Sequence, residues 1–390
     1  MKLALLGVDD NTAALAEAAV DAGHAIIAIY DPGSLTAKDV AAWAPGIQVV
    51  DDWQTLMADS RAEAVIVARA RLGAEDVRTD QLRALIQAEV PLLVAHPVVG
   101  SMLAYYELDM SRQDNDCPLL PYVPARWHPA IDRLVGIVGQ QETSPIGLIE
   151  QVVVERSFSQ RRREDVLAWF ARDVSVMRVL AGELNKLGAM TTANTGETTE
   201  LANLNIQMSG PSGVLARWSA GSGEPAPGAR LTLIGRRGKA MLYMPEASDA
   251  WKLELPTDDG TIAETFADWD PEAEGIDEFE AAIAGEAATP TWIDACRDME
   301  LVDAVQRSLE RGRTIDLHFE EQTEDSTFKG MMAAGGCLLL MLVLGVLMLV
   351  AVVGQGRIFS FWPLVLVAVL VVFLGLQFLR LAFPPKKPKA

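Results

Sequence analysis

Four residues near the start of the chain, Gly7, Asp9, Thr12 and Asp31, stand at the spacing from which a nucleotide's phosphates and ribose are commonly held. A dinucleotide turn wants glycine at its first, third and sixth positions, so that backbone reaches the pyrophosphate and the helix packs on the strand. Gly7 takes the first position, but Asp9 and Thr12 fill the other two. Asp31 matches the acid that takes the adenosine ribose hydroxyls and favours NAD over NADP. Asp9 sets a negative charge at the helix N-terminus where a phosphate would otherwise lie. At about 4 Å and an effective dielectric near 20, such a like-charge contact costs roughly 4 kcal/mol, about a thousandfold in affinity. Residues 9 to 12 also suit a plain helix N-cap, and the sequence leaves both readings open.

The elements that must position these residues follow from periodicity. Lys2 to Leu6 reads as a buried strand, Asn11 to Ala22 as an Ala-rich helix and Ala25 to Tyr30 as a second strand. Strands at Ile47 to Val50, Ala64 to Val67, Pro91 to Val94 and Leu119 to Val123 then alternate with helices at Thr79 to Ala88 and Ser101 to Arg112. That rhythm predicts a Rossmann-like parallel sheet over residues 1–123. Beyond the Pro-rich stretch from Pro118 to Pro129 the pattern changes. Strands at Gly147 to Glu155, Leu201 to Met208, Gly213 to Ser219, Ala229 to Ile234 and Ala240 to Tyr243 are joined by Gly-rich turns. Helices follow at Phe279 to Ala284 and Trp292 to Arg311, with a last strand at Thr314 to Phe319. The expectation for 124–319 is an α+β domain with a mostly antiparallel sheet and helices on one face.

Charge and hydropathy set the remaining bounds. The net charge is −20, and the six bases and no acids of residues 329–390 leave −26 on residues 1–328. Such a surface disfavours nucleic acid. From Glu246 to Glu280 Lys252 is the only base, which reads as a solvated face or loop. Three distant cysteines and four scattered histidines give no disulfide framework and no metal spacing. After an acidic linker at 320–330, Met331 to Val353 runs 23 residues without a charge, and Phe359 to Leu379 is a second apolar run. Each is long enough to cross a bilayer, so 331–383 reads as a transmembrane helical hairpin. Lys329, Arg380, Lys386, Lys387 and Lys389 flank its outer ends, against Arg357 alone at its tip. The bias predicts an inner-membrane protein crossing twice, with the soluble domains and the basic tail at 384–390 in the cytoplasm.

Three stretches carry a family resemblance. Glu278 to Leu317, EFEAAIAGEAATPTWIDACRDMELVDAVQRSLERGRTIDL, resembles the closing helices and last strand of the Gfo/Idh/MocA oxidoreductases, the glucose-fructose oxidoreductase and inositol dehydrogenase group. PARWHPAIDRLVGIVGQQETSPIGLIEQVVVE resembles that family's domain junction, in which Arg126 falls, and ARLTLIGRRGKAMLY its Gly-centred hairpin. The resemblance covers about residues 1 to 319. It implies NAD or NADP as cofactor, a sugar-like or cyclitol substrate, and a homo-oligomer formed through the second-domain sheet.

The stretches that would carry the chemistry depart from that pattern. Where the family reads Glu-Lys-Pro after its fifth strand, this chain reads Ala95-His96-Pro97. Where the family's second-domain helix carries a substrate-facing His and Asp, alignment of WFARDVSVMRVLAG places Arg172 and Ser175, and after the fourth strand Ala68-Arg69 replaces a Thr-Pro pair. Oxidising an alcohol by hydride transfer needs a group to take the hydroxyl proton. Guanidinium does not deprotonate, whereas an imidazole titrates near 6.5, so His96 is the candidate catalytic residue. Hydrogen bonding at a strand end is its other reading. Arg126, Arg172 and Asp173 are the candidate substrate contacts, with Asp173 expected to pair with Arg172. Two functions follow from this pattern. One is a membrane-anchored, catalytically impaired protein of oxidoreductase fold acting as a binding or scaffold module. The other is an active NAD(P)-dependent oxidoreductase with His96 as proton acceptor and Arg172 gripping an anionic substrate group. A sensor that binds without turnover is a third.

Overall fold

The computed structural model describes residues 1–31, 33, 47–58, 62–191, 200–201, 203–221, 227–246, 250–257 and 260–317. All belong to one unit, Met1–His318; a second unit, Phe319–Ala390, lies outside the described residues. The linker, the apolar hairpin at 331–383, the basic tail and His318 therefore lie outside them too. Among the described residues no helix is long and apolar enough to cross a membrane.

Six parallel strands form the first sheet: β1 (Lys2–Leu6), β2 (Ala25–Tyr30), β3 (Gln48–Val50), β4 (Ala64–Val67), β5 (Leu92–Ala95) and β6 (Leu119–Tyr122), in the order β3-β2-β1-β4-β5-β6. This is the Rossmann order, in which ligands meet the carboxyl ends of the strands beside the β1/β4 reversal. β4, β5 and β6 are buried at every position, as strands covered on both faces must be. Helices α1 (Asp10–Asp21), α2 (Glu75–Gln87) and α3 (Met102–Asn115) complete the expected alternation.

The second sheet has nine strands in the order β14-β13-β12-β11-β7-β10-β9-β8-β15. Its central strand β7 (Ile149–Ser157) pairs parallel with β10 (Leu215–Gly221) and antiparallel with β11 (Gly228–Gly235). The remaining pairs are antiparallel. These join β8 (Lys186–Met190), β9 (Asn205–Ser209), β12 (Lys239–Pro245), β13 (Trp251–Thr257), β14 (Gly260–Phe266) and β15 (Ile315–Asp316). Helices α4 (Pro129–Gly139), α5 (Arg163–Ala181) and α7 (Trp292–Arg311) contribute apolar faces to the core that this sheet shares. The opposite face carries Gln151, Glu155, Arg217 and Met190, and Met190 is 74 % exposed.

Two expectations change. The acidic stretch from Glu246 is not a loop: it builds the β13/β14 hairpin, whose strand β14 is largely solvated, and then α6 (Pro271–Ile283). Trp251, Leu253 and Leu255 alternate inward while Lys252 is exposed, and the outermost strand β14 holds the acid that discourages edge pairing. The lobes are also not cut cleanly at residue 123. α6 returns to the first lobe, where Ile276 and Phe279 join Leu15, Leu120 and Tyr122 in one buried cluster. Gly275 permits that approach, since a Cβ there would stand 2.7 Å from the Tyr122 ring.

Candidate functional site

Gly7 turns the chain out of β1 with φ +78°, a conformation that glycine adopts without cost. Asp9 then caps α1: its Oδ1 accepts from Thr12 N–H at 2.9 Å, while Thr12 Oγ1 accepts from Asp9 N–H at 2.8 Å. This reciprocal capping box satisfies amides that an anion would otherwise meet. Asp9 Oδ2 also accepts from Arg69 N–H at 3.3 Å. The N-cap reading and the phosphate-position reading thus describe one arrangement, in which the chain supplies its own anion. Asp31 pairs with Arg71 at 2.8 Å rather than presenting a free carboxylate to a ribose. Behind the turn lies the buried Arg78, whose Nη1 donates to Leu6 O at 3.0 Å and whose pKa burial lowers to about 10. Of these three arginines the sequence pattern marked only Arg69, as part of the pair after the fourth strand, and nothing in it singled out Arg71 or Arg78. In this arrangement the crevice residues do not fit a dinucleotide, because Asp9 holds the helix terminus that the pyrophosphate would need.

His96, at the end of β5, is 1 % exposed. Tyr105 Oη accepts from Val98 N–H at 2.9 Å and shares a hydrogen bond with His96 Nδ1 at 3.2 Å. His96 Nε2 lies 3.8 Å from Asp298 Oδ2, and neither atom has a hydrogen-bond partner. Asp298 in turn accepts from Arg178 Nη1 at 2.9 Å through its other oxygen. Burial, reinforced by the Arg172 guanidinium, lowers the His96 pKa to about 3. An imidazole this buried does not reach a substrate proton in this arrangement. His96 is hydrogen-bonded to Tyr105 at its strand end.

On the second lobe, α5 presents Trp169, Arg172 and Asp173 to a pocket of about 200 Å³. Arg172 Nε donates to His96 O at 2.8 Å, tying α5 to β5. Its guanidinium lies 5.0 Å from the Trp169 ring centroid, with that of Arg156 at 4.0 Å. The expected Arg172–Asp173 pair is replaced: Asp173 accepts a bidentate pair from Arg156 at 2.6 and 2.7 Å, and a third bond from Trp218 Nε1 at 2.8 Å. Arg156 lies on the inward register of β7 beside Val154, a charge on an apolar face that period-2 counting could have found. Arg126 lies outside the pocket lining and donates to Ser175 Oγ at 3.3 Å. Burial draws its pKa down, against Asp294 and Asp298.

The pocket joins the two lobes. It is lined by Asn11 of α1 and residues 123–125 together with Arg156, Trp169, Arg172, Glu246, Trp251 and Trp269. Of the candidate residues, Arg172 and Asp173 line it, while Gly7, Asp9, Thr12, Asp31, His96 and Arg126 do not. Arg69 spans the same cleft. Its Nη2 donates to Glu164 O at 3.3 Å and its Nη1 lies 4.0 Å from Asp165, both in the first turn of α5. Among the described residues no cluster of His, Cys, Asp and Glu could hold a metal. The lining can grip an anion and stack a ring; its carboxylates are Asp173, fully engaged, and Glu246 at the exposed end of β12.

Comparison with known proteins agrees with this architecture. Residues 1–118 match the Gfo/Idh/MocA family, described as an oxidoreductase family with an NAD-binding Rossmann fold. No curated protein matches the sequence at a significant level. Among solved structures, a myo-inositol dehydrogenase from Corynebacterium glutamicum is similar at 17 % identity and TM-score 0.63, over 82 % of this chain and 99 % of that one. An oxidoreductase from Agrobacterium radiobacter, in complex with NAD+, L-tartaric acid and magnesium, is similar at 17 % identity and TM-score 0.64, over 81 % and 98 %. The UDP-N-acetylglucosamine 3-dehydrogenase of Acidithiobacillus ferrooxidans is similar at 18 % identity and TM-score 0.64, over 80 % and 98 %. At such identities the likeness to these structures is one of fold. The family match is thus confined to residues 1–118, and the described residues share the fold of these solved dehydrogenases and oxidoreductases.

Proposed function

We propose that this chain is a membrane-tethered binding module built on an oxidoreductase fold, holding a small ligand between its lobes without hydride transfer. The observation that carries the reading is the Asp9 carboxylate, which caps α1 through Thr12 N–H and is held by Arg69 N–H where the pyrophosphate would dock. The burial of His96 supports it from the other half of the site, since the pocket lining contains no histidine and no lysine. Tethering is proposed from the apolar runs at 331–353 and 359–379, with the flanking bases setting both outer ends toward the cytoplasm. Self-association is proposed through the open face of the second sheet, where a concavity of about 710 Å³ lies over β8, β9 and β10.

Titration calorimetry of the full chain in detergent with NAD(H) and NADP(H) tests the reading. No heat of binding at micromolar nucleotide is the expected result, and micromolar affinity would defeat it. An active oxidoreductase is the second reading, favoured by the NAD-binding fold of the first lobe and by Arg69, Arg71 and Arg78 around the crevice. It needs Asp9 to turn aside and His96 to become accessible. Turnover with any sugar or cyclitol that His96→Ala abolishes would establish it.

A further inference from the structure

The open face of the second sheet carries a groove of about 710 Å³ over β8, β9 and β10, a volume within the ~300–1,000 Å³ of ligand sites. Strand register shows what forms it. Arg217 of β10 lies opposite Gln207 of β9, and Gln207 opposite Gly188 of β8, in one outward row. Gly188 puts no side chain into that row, while Lys186 and Met190 point outward two residues to either side of it. Arg313, just after α7, also lines the groove. The chain has 53 acids against 33 bases, yet this lining holds three bases, Lys186, Arg217 and Arg313, and no acid. Among the described residues no acceptor takes the guanidinium of Arg217 or Arg313. Lys186 lies 3.7 Å from Asp316, an exposed pair of little strength. Glu155, on the neighbouring strand β7, is committed to Arg230 at 2.7 Å.

We propose that this groove docks an extended acidic segment of a partner protein, laid across β10, β9 and β8 with one carboxylate on Arg217 and a second on Lys186 and Arg313. Clustered guanidinium groups are the usual means of reading such acids. Lys186 is two strands and two residues from Arg217, which at ~4.8 Å per strand and ~3.4 Å per residue sets their Cα atoms ~12 Å apart. Side chains on one face of an extended chain recur every second residue, so acids four residues apart span ~13 Å, and the residue midway between them faces β9. A second copy of this chain is the poorer occupant. In an isologous pair the same patch meets itself, so groove on groove would set the three bases of one against the three of the other. A pair formed through this face is centred instead on β11 and β12, where Ile234, Met241 and Tyr243 point outward, and leaves the groove open. Nothing in this assignment depends on the nucleotide crevice.

The test is fluorescence anisotropy of labelled peptides with the full chain in detergent at low salt. Three short peptides of alanine and threonine carry two glutamates four residues apart, two adjacent glutamates, or two glutamines four residues apart. The first is expected to bind at least tenfold more tightly than either of the others, and to weaken as salt rises. Arg217→Glu should weaken it at least tenfold, and the same variant should gain affinity for a peptide in which one of the two spaced glutamates is replaced by lysine. Arg217 is exposed, and a thermal melt checks that the variant folds; should it not, the peptide ratios on the unaltered protein still decide. Equal binding of the three peptides, binding of none, or full affinity in Arg217→Glu overturns the proposal. Sedimentation decides on the second copy: an assembly that blocks the peptide until it is diluted apart assigns the groove to self-association and likewise overturns it.

Discussion

His96 shows how a residue type can suggest chemistry that its surroundings withhold. Its type and its place after β5 were legible, but the Tyr105 hydroxyl and the Asp298 carboxylate that enclose it come from α3 and α7, and no local pattern announces that convergence. Asp298 did leave a trace, standing among Ala295, Met299 and Val302 on the apolar stripe of its helix. The enclosure has a measurable effect. Because the folded pKa of about 3 lies below the ~6.5 of the unfolded chain, protons bind the unfolded state preferentially. The neutral imidazole's contribution is therefore fully present above ~6.5 and is lost as pH falls toward 3, at up to ~1.4 kcal/mol per pH unit. Urea unfolding at pH 7 and pH 5 should show the unaltered protein losing about 2 kcal/mol more than His96→Gln over that interval. Equal losses would mean that His96 is already charged in the folded chain.

Two helices carry the element-scale expectations. At the start of α1, glycine replaces a capping aspartate at a cost of only a few tenths of a kcal/mol, while removing the charge that opposes a phosphate. Asp9→Gly should leave the thermal midpoint almost unchanged and raise NAD+ affinity by about ten- to a thousandfold; calorimetry on the variant reads this directly, and unaltered affinity would clear Asp9 of blame. In α6, Gly275 lies against Tyr122 and Leu15. Alanine there gains ~0.5–1 kcal/mol of helix propensity but overpacks the contact by ~1–3 kcal/mol, so Gly275→Ala should lower stability in denaturant unfolding. The alternation of strands and helices in the first lobe was legible because strands buried on both faces read as short apolar runs. The β13/β14 hairpin was missed although Trp251, Leu253 and Leu255 alternate with Lys252 and Glu254, because a reading by excess of acid alone marks the stretch as a loop or solvated face. Nor does any local signal show that α6 returns across the chain to cover α1.

At the scale of the whole molecule, the strongest expectation concerns residues outside the described set. If 331–353 and 359–379 cross a bilayer, the full chain should pellet with membranes and resist alkaline carbonate. Cysteine placed at Arg357 should react with an impermeant thiol reagent from the face opposite to cysteine placed at Lys389. Labelling of both from one face would reject the hairpin. Arg69 remains as the contact that joins the lobes at their functional edge, holding the α1 cap through its amide and the first turn of α5 through its guanidinium. One residue thus contacts both the nucleotide crevice and the neighbouring helix α5. A ligand that displaced the Arg69 amide from Asp9 would therefore have to move a residue whose guanidinium also contacts the first turn of α5.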